Sequence, residues 1–168
     1  MNSVRLSYFQ NLLFALVLGV GVCALDQTSK WLVLNTFSWG QSYVVIPRFF
    51  ELTLVQNTGA AWGMFKAWGG ALTVLAVVAL VFLGAFNRQF VVGGARGRLA
   101  WGFLVGGIAG NLWDRVAHGY VVDFFRFFIL GYEWPVFNVA DSVICIGVGL
   151  YFLASFGGRI AGMQKQNI

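Results

Sequence analysis

Charge is scarce in this chain. Of its 168 residues, 10% are charged and 59% are apolar, whereas a soluble domain carries about a quarter charged residues to cover its surface. The chain cannot solvate itself, which excludes a soluble enzyme and a disordered chain. Cysteine is almost missing: Cys23 and Cys145 stand in separate apolar runs. Neither has the paired spacing of a metal or redox motif, and both read as small buried or lipid-facing packing residues. The single histidine, His118, cannot complete a zinc site with them. No metal and no cofactor is expected. Phosphate-loop glycines are absent too, because the glycines follow helical spacing. The net charge is +5, from 11 Lys and Arg against 6 Asp and Glu. The basic residues are scattered singly or in loops, not gathered on the stripe that nucleic acid requires. No nucleic-acid partner is expected.

What is present is long apolar runs. Four stretches can cross about 30 Å of hydrocarbon as helices: Asn11 to Leu34, Trp68 to Phe86, Leu99 to Ala117 and Val139 to Phe156. The length allows one domain, residues 1–168, built around these spans. The segment from Asn87 to Arg98 holds Arg88, Arg96 and Arg98 and no acid. Arg5, Arg159 and Lys165 in the tails fall on the same side if four spans alternate. The other side carries Arg48, Lys66 and Arg126, offset by Glu51 and Glu133. Both termini are therefore expected in the cytoplasm. The first span resembles a secretory signal peptide, but Val22 is a poor residue before a cleavage point and Asp26 and Lys30 follow at once. It is read as retained. The first outer connection alternates apolar and polar over Phe50 to Val55, and Tyr43 to Ile46 is largely β-branched, so a small sheet is expected there. The second outer connection, with Phe124, Phe125, Phe127, Phe128, Tyr132 and Trp134, reads as a segment lying in the membrane interface.

The alternating topology brings all four aspartates to one depth. Asp26 lies late in the first span, Asp114 late in the third, Asp123 just after it, and Asp141 at the start of the fourth. Ionisable groups at membrane depth are costly and mark function. Their roles differ. Asp26 has Lys30 at i+4 in the favourable order for a helical ion pair, and reads as a structural brace. Asp114 shares a helical face with Asn111 and Arg115, and is also read as structural. Gly102, Gly106 and Gly110 run along the third span at the spacing that lets a neighbouring helix approach closely. Asp141 has no basic neighbour in its own turn, and Asp123 has Arg126 alone at i+3. Two carboxyls at a low-dielectric boundary cannot both ionise easily, so one keeps a proton while the other acts as a base. That singles out Asp123 and Asp141 as a candidate pair for water-mediated attack on a peptide carbonyl. Capping of the fourth helix is the alternative role for Asp141. A serine triad from Ser142 and His118 lacks any signal of mutual geometry.

Five blocks carry a resemblance: Asp26-Gln27-Thr28-Ser29-Lys30, Asn57-Thr58-Gly59-Ala60-Ala61, the run from Gly106 to Arg115, Gly119 to Phe124, and Phe137 to Ser142. In this order, across residues 26 to 142, they resemble the lipoprotein signal peptidases (signal peptidase II). The resemblance implies a mainly α membrane protein with four transmembrane helices, a small extracytoplasmic β-sheet or cradle, and an interfacial helix formed by the second outer connection. It implies an aspartic endopeptidase of the bacterial inner membrane that cuts prolipoproteins before a diacylglyceryl-modified cysteine. Asp123 and Asp141 would be the catalytic dyad. Asn57, Gly59, Asn111, Arg115, Asn138 and Ala140 would bind substrate or support the dyad, with Asp26, Lys30 and Asp114 as structural polar residues. The implied partners are prolipoproteins, membrane lipids and cyclic peptide inhibitors such as globomycin, with the chain acting as a monomer. One departure stands out: Trp62-Gly63 occupies the place where the family usually has Phe-Ser.

Two rival readings use the same polar residues without peptidase chemistry, one a small transporter and the other an assembly partner. An ion pathway would want polar groups at the bilayer midplane, and the spans offer few.

Overall fold

The computed structural model describes residues 2–59, 69–92 and 94–166. The Trp62-Gly63 departure and the start of the second expected span at Trp68 lie outside the described residues. The first helix, α1 (Asn2–Thr36), outruns its expected span at both ends. From Ser7 to Thr36 it is long and apolar enough to cross a membrane, and among the described residues it is the one helix that meets this test. Phe9, Val17, Val20 and Leu25 on it are each more than half exposed. Helix α2 (Gly69–Ala85) and the Val139–Ser155 part of α5 (Val139–Gln166) are shorter apolar helices. A short α3 (Asn87–Val91) leads into α4 (Ala95–His118).

Helix α4 is the centre of the bundle, and its glycines explain why. A Cβ on Gly102 would fall 2.9 Å from the Ala15 carbonyl oxygen, and one on Gly106 would fall 2.5 Å from that of Gly19. Both contacts are with α1. Gly107 faces the other way, where a Cβ would meet the Ala140 carbonyl oxygen at 2.7 Å on α5. The four-residue repeat thus seats α1, and the glycine one position on seats α5. Trp101 ties in α2 by donating its indole N–H to the Leu83 carbonyl at 2.8 Å. The helix ends where Gly119 turns left-handed at φ +78° and returns its N–H to Arg115.

One four-stranded sheet sits at the end of the bundle, in the order β1 (Ser42–Ile46), β2 (Phe50–Asn57), β3 (Val121–Ile129), β4 (Tyr132–Glu133). Each paired neighbour is antiparallel. The first outer connection forms the expected small sheet. The second forms no interfacial helix: its aromatic run is β3, paired along β2. All but Asp123 and Arg126 of its nine residues are β-branched or aromatic, a composition that suits a pleated surface better than a helix. Its two faces also have separate partners. Val122 and Phe124 pack with Val33 of α1 and Leu54 of β2, while Phe125 and Phe127 on the opposite face meet Phe137. Period-two packing of this kind holds a strand in register.

The seam makes a prediction. Gly106→Ala should cost about 1–3 kcal/mol through overpacking. Gly21→Ala, with nothing near the added Cβ, should leave stability unchanged or slightly raised. Thermal unfolding of the two variants in detergent measures the contrast, and equal midpoints would contradict the packing assignment.

Candidate active site

The polar residues of four elements meet where α1, α4 and α5 end against β3. At the bottom lies Lys30, 2% exposed. Its ammonium has three donors, and all three are used: Asp26 Oδ2 at 2.8 Å, Asp114 Oδ2 at 2.9 Å and Asn111 Oδ1 at 2.9 Å. The i+4 pair is present as expected, but Asp114 is held by Lys30 and Gln27 (2.9 Å), not by its helix neighbours Asn111 and Arg115. Gln27 also donates to Asp26 and to the Gly110 carbonyl. Gly110 is needed here, because a Cβ would lie 2.5 Å from Asp26 Oδ2.

Both carboxylates then reach backbone. Asp26 Oδ1 accepts the N–H of Ala140 at 2.9 Å, and Asp114 Oδ2 accepts that of Val122 at 3.1 Å. Ala140 precedes Asp141, and Val122 precedes Asp123. The ion cluster therefore grips the chain one residue before each member of the candidate pair, which gives the fully buried Ala140 a positioning role through its backbone.

The carboxyls of the pair are framed by asparagines whose amide orientations are forced. Asn111 must turn its oxygen to the Lys30 ammonium, so its NH₂ points at Asp141 Oδ1, 2.8 Å away. Asn138 accepts the Asp141 N–H at 3.0 Å, so its NH₂ faces Asp123 Oδ1 at 2.7 Å and Asn111 Oδ1 at 3.1 Å. Asn57 accepts the Gly59 N–H at 2.9 Å and so directs its NH₂ to Asp123 Oδ2 at 2.8 Å. The capping alternative for Asp141 is realised as well: its Oδ2 accepts the Asn138 N–H at 3.2 Å, completing a reciprocal box at the start of α5. Asp141 thus caps its helix through one oxygen and receives Asn111 on the other.

Asp123 is 1% exposed. Burial, and next the negative charge of Asp141, push its carboxyl up to about 7, against the pull of the Asn57 and Asn138 hydrogen bonds. An unfolded aspartate titrates near about 3.9. The folded state thus holds this proton the more tightly, and the stability it confers below about pH 4 is lost as pH rises towards 7. Arg126, the i+3 neighbour, offers no relief. It projects from the other face of β3, 3.6 Å from Glu51 and 3.1 Å from Glu133.

A cavity of about 510 Å³ opens in front of the pair. Asn57, Gly59, Asn111, Arg115 and Asp141 line its polar side, and Trp134, Val136 and Phe137 its apolar side. Asp123 does not itself line it; its Oδ2 is held by Asn57, which does. Ser142 gives its hydroxyl to the Asn138 carbonyl at 2.9 Å. Cys145 is exposed on the cavity wall, and Cys23 is half-buried on α1. His118 stacks on Tyr120. Gln27, Trp134 and Phe137 were not anticipated as site residues. A glutamine beside an aspartate in an apolar span was the one available signal.

The sequence and fold both have known counterparts. The family model described as signal peptidase (SPase) II matches residues 18–157. The chain belongs to the signal peptidase II family. It is a membrane peptidase by that membership. A lipoprotein signal peptidase of Syntrophotalea carbinolica is 40% identical over 156 residues, covering 91% of this chain and 95% of that protein. One from Neisseria gonorrhoeae is 39% identical over 140 residues, covering 82% and 85%. Two solved structures, each described as a bacterial membrane enzyme determined by the in meso method, superpose with TM-scores of 0.77 and 0.72. Their identities are 34% and 35%, over 85% and 83% of this chain and 87% and 90% of theirs.

Lys30→Met would leave two buried carboxylates without their cation. Such a loss typically costs about 3–5 kcal/mol. The expected result is a large fall in the unfolding midpoint of the protein, against a small one for Arg126→Met on the partly exposed sheet. Similar small losses in both would refute the role given to Lys30.

Proposed function

We propose that this peptidase removes signal peptides from prolipoproteins, with Asp123 and Asp141 as its catalytic dyad, cutting before a cysteine that carries a diacylglyceryl group. The observation that carries the reading is the shared frame of the two carboxyls. One asparagine, Asn138, donates its side chain to Asp123 and its backbone N–H to Asp141. The pair holds one proton between them. Burial favours the proton on Asp123, and Asp141, at the cavity surface, is the base.

The chemistry follows. Asp141 takes a proton from water as the water oxygen attacks the scissile carbonyl carbon, while Asp123 gives its proton to the carbonyl oxygen. Collapse of the tetrahedral intermediate breaks the C–N bond: the proton on Asp141 passes to the leaving amine, and a hydroxyl of the gem-diol returns its proton to Asp123, which restores the pair. Arg115, on the cavity wall, binds the carbonyls of the substrate backbone. Asn57, Gly59, Asn111 and Asn138 hold the carboxyls and the wall in place. Cyclic peptides such as globomycin are accommodated by the same cleft.

In this reading α1, α2, α4 and α5 are four membrane spans of the bacterial inner membrane, and the chain works as a monomer. Support comes from the charges. Arg126 is matched by Glu51 and Glu133 on the sheet, whereas Arg88, Arg96 and Arg98 have no acid in their segment. By the positive-inside rule this supports both termini in the cytoplasm and the cleft at the outer boundary.

Asp141→Asn keeps the size of the side chain but turns one acceptor into a donor that faces a donor, a cost of about 1–3 kcal/mol. The protein should remain folded and lose cleavage of a synthetic lipidated prolipoprotein in a gel-shift assay. Turnover near the wild-type rate would remove Asp141 from the dyad. A wild type that leaves the lipidated substrate intact would favour the transporter reading.

A further inference from the structure

Beside the cleft lies a second recess of about 290 Å³, lined by Phe127, Ile129, Trp134 and Phe137 and almost wholly apolar. We propose that it holds an acyl chain of the lipid on the substrate's modified cysteine. The proposal rests on the prolipoprotein reading above and adds the place where the lipid sits.

Three observations carry it. The first is the strand. Side chains alternate along β3, so Asp123, Phe125, Phe127 and Ile129 share one face. At a rise of about 3.3 Å per residue, Phe127 and Ile129 stand roughly 13 and 20 Å beyond the Asp123 position. A fatty chain hung from the cysteine next to the scissile bond spans that interval.

The second is continuity. Trp134 and Phe137 line both the cleft and the recess. A cysteine side chain directed at them from the dyad passes its lipid from one space to the other without crossing water. The floor is firm: Phe127 and Phe137 stack at 5.7 Å and 15°, and Phe50 backs Phe127 at 4.6 Å.

The third is chemistry. A peptide segment in the recess would need partners for its N–H and C=O groups, and the lining is hydrocarbon and ring. An acyl chain asks for nothing else. Because the chain comes from lipid and not from water, the recess gains little from hydrophobic transfer. Its contribution is alignment of the scissile bond, so blocking it lowers kcat/KM.

The test uses the full-length protein in detergent and a synthetic lipidated prolipoprotein peptide with a photoreactive diazirine midway along its acyl chains. Cross-links mapped by mass spectrometry on the Asp141→Asn protein should fall on Phe127, Ile129, Trp134 or Phe137. Ile129→Trp, which fills the recess, should remove those cross-links. In an otherwise wild-type chain it should lower kcat/KM roughly tenfold for long-chain substrate, with no change for a substrate bearing acetyl groups in place of fatty chains. Cross-links on the outward faces of α1 or α2, with the recess unlabelled, would overturn the proposal while leaving the peptidase reading intact. Labelling of the recess by a diazirine in the signal peptide instead would overturn it too. Failure of the wild type to cleave the unlabelled lipidated peptide would sink both readings at once.

Discussion

The buried ammonium of Lys30 organises this molecule. Lys30 is 2% exposed and has a strong acceptor for each of its three protons. Taking that charge out of water costs several kcal/mol, and only full pairing with good geometry offsets it. Two carboxylates and one amide supply the pairing from two helices. The excess negative charge is spread onto Gln27 and two backbone N–H groups. Those two N–H groups belong to the residues immediately before Asp123 and Asp141. Electrostatic satisfaction of the lysine and placement of Asp123 and Asp141 are one arrangement.

From that cation, hydrogen-bond direction spreads outward. Lysine only donates, so Asn111 has no choice of orientation, and its NH₂ meets Asp141. Backbone N–H groups impose the same constraint on Asn138 and Asn57. Three asparagines thereby present donors to the two acids. The result is two acids held through one asparagine, with Asp123 buried and Asp141 at the cavity wall. The glycine seam of α4 permits this arrangement, because a side chain at Gly110 would displace Asp26 itself.

Much of this was legible in the chain. Periodicity and length gave the helices, alternation gave β1 and β2, and spacing gave the Asp26–Lys30 pair. Spacing also set Asp123 and Asp141 apart from Asp26 and Asp114, and in the structure Asn138 bonds to both members of that pair. What escaped was long-range direction. Local spacing shows that Asp26 can reach Lys30, but not that its second oxygen caps a helix 114 residues away. Nor does it reveal that Asp114 prefers Lys30 to Arg115. The expected interfacial helix failed for a related reason. Aromatic residues suit a membrane surface in either conformation, and it was the open edge of β2, contributed from far along the chain, that made Val121–Ile129 a strand.

The most direct test of the shared proton is the titration of Asp123 itself, followed by carbon NMR of carboxyl-labelled aspartate in the wild type and in Asp141→Asn. The account predicts a wild-type midpoint near 7 for Asp123, moving down once the Asp141 charge is gone. A wild-type midpoint at the ordinary aspartate value of about 4, unmoved by the substitution, would contradict it.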